Sequence, residues 1–288
     1  MYMRLDAHQH YWLIERGDYE WITPEVPELY RNFLPSDLKP HLDSHQLDGS
    51  ITVQAAPTLE ETDYLLSLAD RDASIVGVVG WIDLFDPEHR RHYEGFRKHP
   101  KFIGFRIMIQ DMPDANVILE PAFIQALNEY VKEDVPIDLL VRSHQLETLL
   151  KLIEQVPGIR GVIDHLGKPP IRSGQIEPWE NIMKRIARFP RIYCKLSGMV
   201  TEAEHRRWSQ EDFNGYVHKV VAMFGPDRIM FGSDWPVCLL SAGYDQVVNV
   251  LAEALPKHWG EREHARLFGL NAKAFYKLEK GGVHHEIP

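Results

Sequence analysis

Arg4-Leu5-Asp6-Ala7-His8-Gln9-His10 reads as a short strand carrying two histidines two residues apart. Side chains at i and i+2 of a strand leave the same face. Both imidazoles therefore converge on one place, where they can hold a divalent metal or bind a polarised oxygen. Alone, a His-x-His pair is equally a surface pair. A second stretch gives it weight: Arg228-Ile-Met-Phe-Gly-Ser-Asp234-Trp-Pro236, the last strong strand, ends in a carboxylate. First and last strands are neighbours in a closed eight-stranded barrel, so the fold turns on whether six more strands lie between them.

Six apolar runs do, at residues 50–56, 75–83, 102–109, 135–141, 159–167 and 191–197. Unbroken apolar runs suit strands buried on both faces. Helical patterns separate them at 59–71, 87–99, 120–133, 145–155, 179–188 and 212–224, and 244–255 and 261–276 close the chain. Thr58 is placed to cap the helix at 59, with Glu61 as its capping-box partner. Strand–helix alternation argues a parallel sheet. Eight units in 288 residues argue a (β/α)8 TIM-type barrel, distorted and in a single domain over residues 1–280. An open doubly wound sheet is the competitor, but no Gly-rich phosphate loop follows a strand. Residues 281–288 read as a C-terminal tail, whose His284-His285 pair carries little weight.

One segment breaks the pattern. Residues 11–40 hold Tyr11, Trp12, Tyr19, Trp21 and four prolines, Pro24, Pro27, Pro35 and Pro40, which disfavour a long regular helix. So long a loop after the first strand is either a lid over what the histidines bind or a packed surface loop with aromatic anchors.

Hydrophobic residues make up 44% and charged residues 26%, as in a soluble chain with a full core. A formal net charge of -10 argues against a nucleic-acid surface, which needs clustered Lys and Arg. The only cysteines, Cys194 and Cys238, sit in apolar surroundings and read as buried free thiols of a reducing compartment. With no run of 18 apolar residues and no apolar signal region, the expectation is a cytoplasmic protein without a membrane partner. An oligomer is compatible with the sequence.

Active-site groups of such barrels come from the C-terminal strand ends and the loops after them. Those ends supply His8 and His10; Trp81 and Asp83; Arg106; Arg142 and, just beyond, His144; Asp164, His165 and Lys168; Lys195 and Ser197; Ser233, Asp234 and Trp235. Ionisable groups at seven of eight ends point to one catalytic mouth, since an unpaired buried charge costs several kcal/mol as an order of magnitude. Asp164, preceding His165, should point to the opposite face, in a structural or a catalytic role. Lys195 could instead pair with an acidic neighbour in the barrel wall. Asp6 shares the histidine face but deeper, as their partner or in a core ion pair. Ser233 lacks the G-x-S-x-G context of a serine nucleophile.

Together, His8-x-His10, Asp164-His-Leu-Gly-Lys-Pro169, Lys195-Leu-Ser-Gly198 and Phe231-Gly-Ser-Asp-Trp-Pro236 resemble the amidohydrolase superfamily. Gly80-Trp-Ile-Asp83 and Asn271-Ala-x-x-Phe-Tyr276 fit its amidohydrolase-2 branch of sugar-lactone hydrolases, which includes L-fuconolactonase and L-rhamnonolactonase. The likeness runs from about residue 4 to 278. It implies a carbohydrate-metabolism hydrolase opening an aldonolactone to the sugar acid. By motif position Asp234 is the base that activates water. His8, His10 and His165 form the metal or oxyanion site. Arg106, Lys195 and the aromatic loop, including Trp12, contact the sugar, with Trp81, Arg142 and Trp235 also at the mouth. Better-known members carry a bridging lysine on strand four and a histidine on strand five. Here strand four has Arg106, and His144 lies past strand five, so a two-metal centre is not expected. One Zn2+ on His8, His10 and Asp234, with His144 or His165, is one reading; metal-free hydrolysis is the other. A metal-dependent decarboxylase of an aromatic acid, a hydrolase of a non-sugar lactone and a non-catalytic binding barrel are the alternatives.

The chemistry fits independently of the resemblance. Opening a lactone needs an activated water, a stabilised oxyanion and a proton for the leaving alkoxide. Arg106 or Arg142 suits the carboxylate product.

Overall fold

The structure, a computed structural model, describes residues 2–278; the expected tail and its histidine pair lie outside them. Eight strands pair in parallel in sequence order. They are β1 (Leu5–Gln9), β2 (Gly49–Val53), β3 (Ile75–Trp81), β4 (Phe102–Met108), β5 (Pro136–Leu140), β6 (Arg160–Ile163), β7 (Ile192–Leu196) and β8 (Ile229–Phe231). Only β1 and β8 lack a regular ladder, and the mouth supplies the closure. Asp234 N–H donates to His8 O at 2.8 Å, and His10 N–H donates to Trp235 O at 2.7 Å. The expected (β/α)8 barrel is what forms, and its seam runs through the site residues.

Two apolar layers hold it. Leu5, Ala7, Ile51, Val53, Val79, Val162 and Met230 fill the barrel with Ala272, Phe275 and Tyr276. The larger cluster packs strands against surrounding helices. These helices are α1 (Pro35–Ser44), α2 (Leu59–Arg71), α3 (His89–Phe96), α4 (Pro121–Lys132), α5 (Leu146–Gln155), α6 (Trp179–Ile186), α7 (Met199–Glu202), α8 (Glu211–Phe224), α9 (Tyr244–Ala254), α10 (Glu261–Ala265) and α11 (Asn271–Phe275). Among the described residues no helix is long and apolar enough to cross a membrane.

Three local expectations change. The proline-rich segment does form a ten-residue helix, α1. Pro35 occupies its first position, where a missing N–H is harmless, and Asp37 Oδ2 accepts the Leu34 N–H at 2.8 Å. Thr58 caps α2 as expected, its Oγ1 accepting from Glu61 N at 3.1 Å, but Glu61 does not complete the box. Its buried carboxylate turns to the end of β2 and accepts from Ala55 N and Ala56 N at 2.9 and 2.7 Å. The closing helix is broken by a wide turn over Arg266–Leu270, with non-helical dihedrals at Phe268 and Gly269. That turn lets α11 swing under the barrel.

Candidate active site

The histidines owe their placement to a bulge. Pairing of β1 with β2 shifts register between Asp6 and Gln9, and such an irregularity re-aims side chains. Leu5 and Ala7 face the barrel interior, yet so do His8 and His10. Asp6 therefore does not share their face: it points outward, accepting from Tyr244 Oη at 3.0 Å and from Ser233 N at 2.9 Å. It also accepts from His8 N at 3.2 Å. It thus ties β1 to β8 through their backbones. Burial pushes its carboxyl up to about 6 against those hydrogen bonds.

Within the mouth three imidazoles turn their Nε2 atoms toward Asp234 Oδ1. His10 Nε2 stands 3.3 Å from it, and His8 Nε2 and His165 Nε2 each 3.8 Å. His8 Nε2 and His10 Nε2 are 3.2 Å apart. Each Nδ1 is engaged elsewhere. His10 Nδ1 lies 2.7 Å from Val53 O, a carbonyl that only accepts, so that nitrogen carries a proton and Nε2 is the ring atom turned inward. His165 Nδ1 meets Ser197 Oγ at 2.9 Å. Burial is the largest influence on all three shifted groups here. It pushes His165 down to about 4 and His8 well below its ordinary value, the latter helped by Lys195. For Asp234 burial pushes upward, but His165, His10 and His8 outweigh it and hold the carboxyl far below its usual range.

This donor set fits a divalent cation. Ligands about 2.0–2.1 Å from a tetrahedral Zn2+ stand roughly 3.3 Å from one another; here His8–His10 and His10–Asp234 are 3.2 and 3.3 Å apart and His8–Asp234 3.8 Å. With a proton on its Nδ1, His10 turns Nε2 to Asp234 Oδ1 at 3.3 Å, two acceptors that a cation between them reconciles.

Left-handed backbone brings His165 to this cluster. Strand β6 stops at Ile163, and His165, Leu166 and Lys168 take φ of 54°, 56° and 47°, as Asp234 does at 57°. Strand alternation ends there, so Asp164 and His165 both reach the interior, against the expectation of opposite faces. Gly198 makes room: at φ +61° its added Cβ would stand 2.5 Å from His165 Nδ1. Gly232 does the same for the seam, its Cβ falling 2.5 Å from His8 Cβ.

Beneath the histidines lies a closed ion network. Lys195 Nζ is 2.5 Å from Asp138 Oδ2, 3.2 Å from Asp164 Oδ1 and 3.0 Å from His8 Nδ1. Tyr276 Oη donates to Asp138 Oδ1 at 2.6 Å. Arg106 donates to Gln54 through Nε and Nη2, and its Nη1 is 3.4 Å from Asp164 Oδ2. Lys195 is fully buried and Arg106 nearly so. Lys195, held by Asp138 and Asp164, does not present its charge to the mouth as the sugar contact expected of it, whereas Arg106, paired to Gln54 and Asp164, is buried to the same degree as His10 and Asp234. Asp164 is held well below the usual carboxylate range: burial opposes ionisation, and Lys195, His8 and Arg106 overcome it.

A family model for amidohydrolases, Amidohydro_2, matches residues 5–278. A Burkholderia ambifaria protein named L-fucono-1,5-lactonase is 37% identical over 284 residues, 97% of each chain. The chain belongs to the amidohydrolase family. A crystal structure of an amidohydrolase from Burkholderia multivorans with bound Zn superposes with a TM-score of 0.91 at 34% identity, covering 96% of this chain and 100% of the other. A dihydroxybenzoic acid decarboxylase from Polaromonas sp. JS666 with bound manganese shares the fold alone, at 14% identity and a TM-score of 0.66, covering 97% of both chains.

The rim of this amidohydrolase differs from the sequence expectation in its aromatics. Trp12 is fully buried, its indole Nε1 donating to Arg31 O at 2.9 Å and its ring packed on Phe33. Trp235 is buried too, edge-on to Phe33 and Tyr11. Neither offers a face to a ligand. Both anchor the 11–34 segment, which a two-bond bridge between Trp12 and Phe33 pins down, so it is a packed cap. Trp21, on the same segment, is 44% exposed and donates from Nε1 to Ala55 O at 3.1 Å, just past β2. Its Tyr-Glu-Trp context gave no sign that this tryptophan would be the exposed one. Trp81 is half-buried at the end of β3. Arg142 is exposed after β5, and Lys168 after β6 reaches to 3.7 Å from Glu202 Oε1. Burial pushes the Glu202 carboxyl up, while Lys168 and Arg142 pull it back. His144 is exposed and joins neither His/Asp cluster among the described residues.

Proposed function

We propose that this amidohydrolase opens a sugar lactone of the L-fucono-1,5-lactone kind to its open-chain acid. The convergence of three imidazole Nε2 atoms on Asp234 Oδ1, in a chain so similar to a named lactonase, carries the reading. Hydrolysis bonds a water oxygen to the carbonyl carbon, breaks the ring C–O bond and leaves the water proton on the ring oxygen. Asp234 takes that proton on Oδ2, since Oδ1 faces the imidazoles. A carboxylate held far below its usual range is a weak base but, once protonated, a strong acid. It therefore returns the proton readily to the departing alkoxide. His8, His10 and Asp234 would hold a divalent cation such as Zn2+, which supplies Lewis-acid polarisation and an acidified water. Neutral His165, with Ser197 Oγ donating to its Nδ1, presents Nε2–H to the oxyanion. Arg142 and Lys168 bring positive charge to the rim for the carboxylate product.

The decarboxylase alternative asks for a strand-five histidine in the metal set, and His144 stands outside it. A pH-indicator assay on L-fucono-, L-galactono- and L-rhamnonolactone, before and after chelation with metal analysis alongside, tests the proposal. Acid release on the 6-deoxy L-sugar lactones is expected, with loss on chelation and recovery on Zn2+. Silence across the panel would refute it.

A further inference from the structure

The proton on His8 has two places to go, and they exclude each other. A ring that is to bind a cation carries a single proton, on either Nδ1 or Nε2. At Nδ1 it meets an obligate donor and an obligate acceptor together: Lys195 Nζ at 3.0 Å and Asp164 Oδ1 at 3.2 Å. An ammonium has no lone pair and an ionised carboxylate no proton. When Lys195 donates to Nδ1, the His8 proton sits on Nε2 and points at the His10 Nε2 lone pair, 3.2 Å away. A cation on His8 Nε2 requires the opposite tautomer. The proton then moves to Nδ1 and donates to Asp164 Oδ1, while Lys195 keeps its carboxylates. Asp164 Oδ1 is placed for this, being a buried carboxylate oxygen with no hydrogen bond of adequate geometry. Its other oxygen faces Arg106, and Asp138 holds Lys195 through the shorter contact.

We infer that Asp164 and Lys195 form a tautomer selector for His8: Lys195 holds the ring as a non-ligand, and Asp164 accepts the Nδ1 proton that makes it a ligand. The proton shifts from Nε2 to Nδ1 of one ring, so charge and protons balance without a co-reactant. Asp164 is thus a positioning residue acting through His8. Carboxylate partners of metal-binding histidines raise affinity in this manner. The inference rests on the reading that the mouth takes a divalent cation, and it adds which residue makes the site competent.

The test is imidazole 15N NMR on the full-length protein, with and without stoichiometric Zn2+, and Zn2+ affinity by chelator competition for wild type and Asp164→Asn. Expected are an Nε2–H tautomer of His8 in chelated protein and an Nδ1–H tautomer after Zn2+ addition. Asp164→Asn should bind Zn2+ roughly 10- to 100-fold more weakly, with an unchanged far-UV spectrum in chelated protein. The same tautomer in both wild-type samples, or wild-type affinity in Asp164→Asn, would overturn the selector while leaving the metal site standing. Failure of wild type to bind Zn2+ would overturn both. The wild-type NMR decides the question even where Asp164→Asn does not fold.

Discussion

Replacing Gly198 by alanine separates the placement of His165 from the stability of the barrel. The added Cβ would stand 2.5, 2.7 and 3.0 Å from His165 Nδ1, Cγ and Cβ, against an ordinary contact of at least 3.4 Å. Relief requires the ring to move away from β7, which breaks its 2.9 Å contact with Ser197. The φ of +61° adds about 1–2 kcal/mol for any residue with a Cβ, and the orphaned buried hydrogen bond adds about 1–3 kcal/mol. Displacement of a positioned group by about 1 Å costs up to roughly 10²-fold in rate. Gly174→Ala is the control: its φ is +67°, yet nothing lies within 4 Å of the new Cβ. Both variants should lose stability in thermal denaturation, Gly198→Ala by more. In a lactone-hydrolysis assay Gly174→Ala should keep the wild-type kcat and Gly198→Ala should lose ten- to a hundredfold. Equal kcat in the two variants would refute a role for His165 beyond packing.

Burial pushes Glu61 up to about 7 from 4.5, against the hydrogen bonds of Ala56 and Ala55. The fold binds that proton more tightly than the unfolded chain, so the stabilisation is full below pH 4.5 and lost as pH rises through about 7. It amounts to about 3 kcal/mol at ~1.4 kcal/mol per unit, and Glu61→Gln should narrow the Tm difference between pH 5 and pH 8; an unaltered difference would contradict this. Lys195→Met leaves Asp138 and Asp164 without their shared cation and should cost about 3–5 kcal/mol in urea denaturation, with part recovered by adding Asp138→Asn; no loss would mean the network is not charged. Trp12→Ala should destabilise by about 3–5 kcal/mol, whereas exposed Trp21→Ala should leave Tm nearly unchanged and raise KM; a swap of those effects would restore Trp12 to the ligand.

The barrel was legible because each strand is an apolar run bounded by helical patterning, and the site because its closure needs only neighbouring first and last strands. Helix α2 could be placed to the residue since Thr58 marks its start. What the sequence hid is backbone detail. Period-two counting put Asp6 beside the histidines and Asp164 opposite His165, and a register shift in one strand and left-handed residues after another reversed both. Lys195 read as a substrate contact because a charge at a strand end looks alike whether it faces a ligand or Asp138 and Asp164. Trp12 and Trp235 were misplaced for a kindred reason: aromatic content marks a cap without saying which rings anchor it.

The most direct measurement compares wild type and Asp234→Asn on L-fucono-1,5-lactone in the pH-indicator assay, both with stoichiometric Zn2+ and matched metal content. Wild type should release acid, and Asp234→Asn, folded by circular dichroism, should lose at least about 10²-fold in kcat. An Asp234→Asn kcat equal to wild type would contradict the assignment of the base and the chemistry built on it.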